Sequence, residues 1–209
     1  MTKAVFFGAS LVEGIGASAP DRRFSTVASR VMGWEEVNLG LAGTCVVGRD
    51  EAGQVLDENS GLGRVPDVLE VQPDLVFVLH GGNDFAQGLP LGDPARFQQG
   101  TFLWDYDTMA RGLLFALPPS QIFLMTVPFR RDAQTPNSAG LTLADYNQVV
   151  QNVGARYGLR ILDTFAEAGL DLSTDYAEDG IHPNDNGHQC LAAFVIQAMQ
   201  TRPAPSAAL

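Results

Sequence analysis

The amino-acid sequence predicts an α/β fold in which buried parallel strands alternate with helices. Five short runs are nearly continuous in apolar residues, as expected when both faces of a sheet are covered. Segments with helical spacing of apolar residues lie between these runs, which favours a parallel sheet with right-handed crossovers. The length of 209 residues and the hydrophobic fraction of 45% suit one globular domain with a substantial core.

The predicted strands occupy residues 4–7, 36–39, 75–79, 122–127 and 159–162. The predicted helices occupy residues 24–32, 103–117, 143–157 and about 187–199, with Thr142 as a candidate N-cap of the third. Two long irregular segments, residues 44–63 and 85–100, are expected to form the walls of a substrate pocket. Residues 1–201 are predicted to form the domain, and the proline-containing residues 202–209 a flexible tail.

The charge and composition exclude several classes of partner. The net charge of -11 opposes binding to nucleic acid or to anionic lipid surfaces, because both require clustered cations. No apolar stretch is long enough to span a bilayer. The apolar start is too short for a signal peptide, so we expect a cytoplasmic protein, with export left open. Cys45 and Cys190 are expected to be reduced thiols, and a small neutral or cationic molecule is the expected partner.

The first candidate functional residue is Ser10, in the segment Gly8-Ala9-Ser10-Leu11 directly after the first strand. A glycine there lets the chain turn sharply and present the hydroxyl at the sheet edge. The alternative is that Ser10 only caps a short helix. The segment lacks the lysine of a phosphate-binding loop, and it matches a dinucleotide fingerprint only weakly. It also lacks the last glycine of the nucleophile elbow, where Val12 stands.

Two further segments follow the second and third strands. Asn83, in Gly81-Gly82-Asn83-Asp84, could donate its side-chain amide to an oxyanion, and the alternative is an ordinary Asn-Asp turn. Gly43 could donate its backbone N–H, and the alternative is a plain turn glycine.

The last candidate pair is Asp179 and His182, in Asp179-Gly180-Ile181-His182-Pro183. A tight turn at Gly180 would bring the carboxylate against one ring nitrogen and support an imidazolium. The alternative is an Asp-Gly turn before a capped helix. A metal site of His182, Asp185 and His188 is disfavoured, because their spacing matches no common site.

These segments, in this order along nearly the whole chain, resemble the SGNH hydrolases, also called GDSL lipases and esterases. The resemblance implies a flavodoxin-like three-layer α/β/α sandwich with a five-stranded parallel sheet, and ester hydrolysis with neither metal nor cofactor. It makes Ser10 the nucleophile and Asp179 and His182 its partners. It makes Ser10 N–H, Gly43 N–H and the Asn83 amide the oxyanion donors. Ala9 replaces the family's usual aspartate before the nucleophile, which puts the rigidity of that loop in doubt.

The expected function is therefore that of a serine esterase, lipase or thioesterase acting on a small-molecule ester through an acyl-enzyme. The alternatives are an acyltransferase that exchanges an O-acetyl group with a sugar and a catalytically silent carbohydrate-binding module. Aromatic residues in or beside the loop after Asn83 could line an acyl slot, with Phe85 and Trp104 as the main candidates. The others are Phe97, Phe102 and Tyr106. Arg130 and Arg131 could meet an anionic group or be solvated, and His80 ranks below His182 as a base.

Overall fold

The computed structural model describes residues 1–50, 52–54, 56–96 and 98–201, and in them five strands form one sheet. The strands are β1 (Lys3–Gly8), β2 (Glu35–Gly40), β3 (Leu75–Leu79), β4 (Ile122–Met125) and β5 (Arg160–Leu162). Their order is β2-β1-β3-β4-β5, and each pairing that the structure describes is parallel. The predicted α/β class and five-stranded parallel sheet are confirmed. The predicted tail, residues 202–209, lies outside the described residues.

The described residues form eight α-helices, six of which lie between the strands in sequence and two of which follow β5. They are α1 (Ser10–Glu13), α2 (Phe24–Met32), α3 (Val65–Glu70), α4 (Gly82–Ala86), α5 (Phe102–Ala116), α6 (Leu143–Tyr157), α7 (Thr164–Glu167) and α8 (Asp185–Gln200). Helix α2 packs against α8, and α5 packs against both α3 and α6. The sheet thus lies between two helical layers. No helix among the described residues has the length and apolar character needed to cross a bilayer.

Local hydrogen bonds explain where the elements begin and end. Helix α6 begins after Thr142 as predicted, because Thr142 and Asp145 form a capping box. Helix α5 ends at Ala116, one residue before the predicted end, since Leu117 precedes a proline and is extended. Strand β4 ends at Met125 rather than at residue 127, because Val127 N–H donates to the Asn147 side chain instead of a neighbouring strand.

The hydrophobic core is continuous across the three central strands. Phe77 stacks between Phe6 and Phe123, with ring centroids 4.8 and 4.9 Å apart. All three rings are essentially fully buried, so they supply much of the apolar area that stabilises the sheet.

The topology fixes where a ligand can bind. The chain leaves β1 toward β2 on one side and later returns to β3 on the other, so the strand order reverses at β1. In open parallel sheets a crevice forms at the carboxyl ends of the strands that flank such a reversal. Helix α1 follows β1 and helix α4 follows β3, and both begin at this crevice.

Candidate active site

Ser10 is the first residue of the short helix α1, only two residues after the end of β1. Gly8 makes the turn feasible, because a Cβ there would lie 2.4 Å from the Leu79 carbonyl oxygen and from Val12 Cγ2. A helix leaves its first N–H groups without intrahelical acceptors, so the Ser10 N–H is available to a ligand. Ala9, which precedes the helix, provides no capping side chain.

The hydroxyl of Ser10 lies within hydrogen-bond distance of His182, although 172 positions separate the two residues. His182 Nδ1 and Asp179 Oδ2 are 2.6 Å apart, so Nδ1–H donates to the carboxylate. Nε2 is then the acceptor, 3.0 Å from Ser10 Oγ. The structure therefore brings together the three side chains that the sequence analysis selected, in a serine-imidazole-carboxylate relay.

The other oxygen of Asp179 fixes the turn that carries His182. Asp179 Oδ1 accepts the backbone N–H groups of Ile181 at 2.8 Å and His182 at 3.0 Å. Partial burial acts to raise the pKa of Asp179, but the hydrogen bonds from the His182 ring and these N–H groups lower it to about 2. The carboxylate thus stays ionised beside the imidazole across the neutral range.

Arg131 supports this turn from the segment after β4. Its backbone N–H donates to the Gly180 carbonyl at 2.9 Å, and its guanidinium donates to the Glu178 carbonyl at 3.0 Å. Gly180 has a φ of +67°, and a Cβ there would lie 2.4 Å from Arg131 Nε, so glycine lets the guanidinium lie across the turn. This role of Arg131 could not be predicted from local patterns, since its contacts span 47 positions or more.

A further set of hydrogen bonds, called here the clasp between Ser18 and Asp185, joins the segment after α1 to the first turn of α8. The N–H and hydroxyl of Ser18 donate to the Asp185 carboxylate at 2.7 and 2.6 Å. His188 accepts the Phe24 N–H on Nδ1 and donates from Nε2 to the Ile15 carbonyl. Its imidazole is thus engaged by the backbone. No group of three acidic, histidine or cysteine side chains among the described residues could hold a metal ion.

Asn83 is the second residue of α4, and its amide donates to the Thr44 carbonyl at 2.8 Å. One amide hydrogen is therefore used, and the other remains for a ligand. Gly43 lies on the exposed loop after β2 with a φ of +80°, and its N–H has no acceptor in the part of the chain described. The loop thus carries one candidate donor, Gly43, and directly after it the residue that orients another, because the Thr44 carbonyl accepts from Asn83.

Asp84 anchors that loop from beneath. Its fully buried carboxylate accepts the N–H groups of Val46 and Val47 at 3.0 Å, which ties the loop after β2 to the helix after β3. Burial raises the pKa of Asp84 to about 6, against the opposing effect of these hydrogen bonds. Asp84 stands directly after Asn83 in the sequence, but spacing along the chain could not identify Val46 and Val47 as its hydrogen-bond donors.

An open cleft of about 580 Å³ lies over Ser10, Asn83 and His182. Its remaining wall is mostly apolar, and Arg130 is its charged member. The apolar side chains that line it are Ala9, Leu11, Leu79, Ala86, Val127 and Ile181. Such a cleft, with few polar groups at one point, is typical of sites for small organic ligands.

Phe85 and Trp104, the predicted substrate contacts, are both absent from the described lining of this cleft. Phe85 is buried, with its ring against Tyr146 and under the Arg130 guanidinium. Trp104 lies on α5 at a separate surface cavity, where Arg111 stacks over its ring. Their positions in the loop suggested the cleft, but their apolar area is used by the core and by α5. Phe97 is outside the described residues.

His80 and Cys45 border the site without the properties of reacting groups. Burial, followed by the charge of Arg64, lowers the pKa of His80 to about 3, so its ring is neutral. Both ring nitrogens lack hydrogen-bond partners among the described residues. Burial, then the charges of Asp84 and Asp57, raises the pKa of Cys45 to about 12, so it stays a thiol.

The sequence matches the model of the GDSL-like lipase/acylhydrolase family over residues 6–190. No curated protein matches it. Several solved structures share the fold. A protein from Lactobacillus plantarum is 19% identical, with 97% of this chain and 98% of that chain covered and a TM-score of 0.82. The lipase/acylhydrolase from Enterococcus faecalis is 23% identical, with both chains fully covered and a TM-score of 0.72. A member of the lipolytic G-D-S-L family from Veillonella parvula is 13% identical, with 97% and 100% covered and a TM-score of 0.67.

Proposed function

The chain belongs to the GDSL-like lipase/acylhydrolase family and is a hydrolase of ester bonds, and on that premise we propose that it is a serine esterase that forms an acyl-enzyme on Ser10. The observation that carries this proposal is the relay from Ser10 Oγ to His182 Nε2 at 3.0 Å and from His182 Nδ1 to Asp179 at 2.6 Å. A hydroxyl is a weak nucleophile unless a neighbouring base accepts its proton, and this arrangement supplies that base.

In the acylation step, Ser10 Oγ attacks the ester carbonyl while His182 Nε2 accepts its proton. The bond to the leaving alcohol then breaks, and the imidazolium returns the proton to the alcohol oxygen. Asp179 holds the Nδ1–H tautomer and stabilises the imidazolium. Its lowered pKa supports this role, because a carboxylate that remained protonated could not stabilise the cation.

The negative charge on the carbonyl oxygen needs donors that are fixed before the reaction begins. We assign these donors as the N–H of Ser10, the N–H of Gly43 and the unused amide hydrogen of Asn83. The hydrogen bond from Asn83 to Thr44 orients the amide, and the contacts of Asp84 with Val46 and Val47 hold the loop that carries Gly43. Water, activated by His182, then hydrolyses the acyl-enzyme by the reverse sequence of proton transfers.

A fluorophosphonate probe tests the assignment of the nucleophile. We expect the wild-type enzyme to be labelled, Ser10→Ala to be unlabelled, and Ser120→Ala to be labelled normally. Ser120 is the matched control because it precedes β4 and therefore lies at the opposite end of the sheet. Labelling of Ser10→Ala, or wild-type hydrolysis of p-nitrophenyl acetate by that variant, would refute the proposal. Product analysis with and without an added sugar acceptor separates hydrolysis from acyl transfer.

A further inference from the structure

Arg130 is a buried cation in the wall of an otherwise apolar cleft. It is only 4% exposed, and it lines the cleft together with Gly82 and Val127. A guanidinium in such a place costs free energy unless each of its donors finds an acceptor. The hydrogen bonds of its three nitrogens therefore show which donors are satisfied by the protein and which are left for a ligand.

One edge of the guanidinium is fully used. Nε donates to Asp132 Oδ1 at 2.7 Å, and Nη2 donates to Asp132 Oδ2 at 3.1 Å. Nη2 is also 3.4 Å from the Gly82 carbonyl oxygen. The ring of Phe85 lies beneath the guanidinium, and Arg130 Cζ is 5.2 Å from the centroid of that ring. Asp132 and Phe85 thus fix the plane and the orientation of the guanidinium.

The remaining nitrogen, Nη1, has no hydrogen-bond partner among the residues that the structure describes. It lies beside Gly82, where a Cβ would be 3.4 Å from Nη1 and 3.5 Å from Val127 Cγ1. The absent side chain of Gly82 thus leaves space that is bounded by two donor hydrogens and an apolar wall. That space begins one residue from Asn83, which holds the ester carbonyl in the proposed mechanism.

We propose that Arg130 is a specificity-determining residue that binds an oxygen atom carried by the acyl chain of the substrate. The inference rests on the proposed esterase function and names its substrate class: esters of acids that bear a carbonyl or carboxylate oxygen beyond the ester group. The leaving alcohol must lie near His182, which protonates it. The acyl chain therefore runs past Gly82 and Val127, and its distal oxygen accepts hydrogen bonds from Nη1.

Matched p-nitrophenyl esters test this specificity. One pair is p-nitrophenyl hexanoate and the half-ester of adipic acid, and a third substrate is the adipate whose free carboxyl is methylated. The two adipates carry a distal oxygen, charged or neutral, on a chain of the same length as hexanoate. We expect wild-type kcat/KM for the better adipate to exceed that for hexanoate by roughly ten- to a hundredfold, after subtraction of the rate without enzyme.

Variants connect that preference to Arg130. Arg130→Met should reduce the preference to about one, chiefly through KM, while activity on the acetate ester persists. If Arg130→Met fails to fold, Gly82→Ala gives an independent test. Its methyl group would fill the space beside Nη1 without close backbone contacts and should abolish the preference. Arg111→Gln is the control, because this exposed partner of Asp107 on α5 should leave all ratios unchanged.

The outcomes separate the two proposals. Hydrolysis of the acetate ester with equal or better use of hexanoate overturns the role of Arg130 and leaves the esterase mechanism standing. An adipate preference that survives both Arg130→Met and Gly82→Ala also overturns that role. Absence of Ser10-dependent hydrolysis of every ester overturns the proposed function, and the inference about Arg130 with it.

Discussion

The side-chain amide of Asn83 donates a hydrogen bond to the Thr44 carbonyl oxygen at 2.8 Å, which joins helix α4 to the loop after β2. An amide has two hydrogens, so this bond orients the group while one donor stays available. Helix α4 and this loop, which carry two of the proposed oxyanion donors, are thus fixed relative to each other before a substrate arrives. Donors held in this way need no reorganisation during the reaction.

Replacement of Asn83 by alanine should reduce kcat by about a hundred- to a thousandfold, because one oxyanion donor is lost. The thermal midpoint should fall by only a few degrees, since one partly buried hydrogen bond contributes about 1 kcal/mol. Steady-state kinetics and thermal unfolding measure the two effects. Full turnover in Asn83→Ala would contradict the assignment of the donor.

Replacement of Arg131 by alanine should reduce kcat roughly five- to tenfold, because the turn that carries His182 loses one hydrogen bond of about 1 kcal/mol. KM should change little, and Arg131→Lys should recover part of the activity. Arg30→Ala, on the exposed side of α2, is the control. A change in KM alone would indicate that Arg131 contacts the substrate and would contradict the positioning role.

Removal of the buried charge at Asp105 should change how stability depends on pH. Burial raises the pKa of Asp105 to about 6, against the hydrogen bonds that it accepts from Gly48 and Gly100. The folded protein therefore binds more protons than the unfolded chain between about pH 4 and pH 6. The stability that this carboxyl contributes is fully present below about pH 4 and is lost as the pH rises through about 6.

The free energy of unfolding of Asp105→Asn, minus that of the wild type, should consequently rise by on the order of 2–3 kcal/mol between pH 4 and pH 7.5. The difference is the quantity to measure, because burial lowers the pKa of His80 and adds a slope of opposite sign to both proteins. Urea unfolding of both proteins at several pH values measures this difference in the free energy of unfolding. A difference that is flat with pH would show that Asp105 titrates normally.

Substitution of Gly8 by alanine should destabilise the fold by about 3 kcal/mol or more, because the new Cβ meets the Leu79 carbonyl, a backbone atom with little freedom to move. Gly33→Ala is the matched control. Its Cβ would meet nothing within 4 Å, so only its φ of +68° opposes the change, at a cost of about 1 kcal/mol. Equal losses in the two variants would show that the strand-to-helix turn tolerates a side chain.

The inner strands β1, β3 and β4 were predicted most directly, because they are buried and apolar along nearly their whole length, whereas the edge strands β2 and β5 are only partly buried. Helices α2 and α6 were predicted with their observed bounds, since their apolar spacing and, for α6, the Thr142 cap are local signals. Helix α4 was missed because its five residues, which follow Gly81 and begin at Gly82, are too few to show a helical period. The order of Ser10, Asn83, Asp179 and His182 along the chain was enough to predict a common site.

The supports of that site could not be predicted in the same way. Arg131 contacts Glu178, and Asp84 contacts Val46, across long stretches of chain, and no local pattern reports such contacts. Phe85 and Trp104 were placed at the cleft only because they lie in or beside the loop predicted after Asn83. The ring of Phe85 packs against Tyr146, and the ring of Trp104 packs against Arg111. These contacts decide which way each ring faces, and they cannot be identified from the sequence.

The clasp between Ser18 and Asp185 has a consequence for how the protein matures. In the proposed mechanism, Ser10 is synthesised 172 positions before His182, the base that activates it. A chain emerging from the ribosome can therefore build the central strands long before it holds any reactive serine. On this proposal, chains that lack the segment of Asp179 and His182 are inactive, and hydrolysis begins only once that segment has docked beside Ser10.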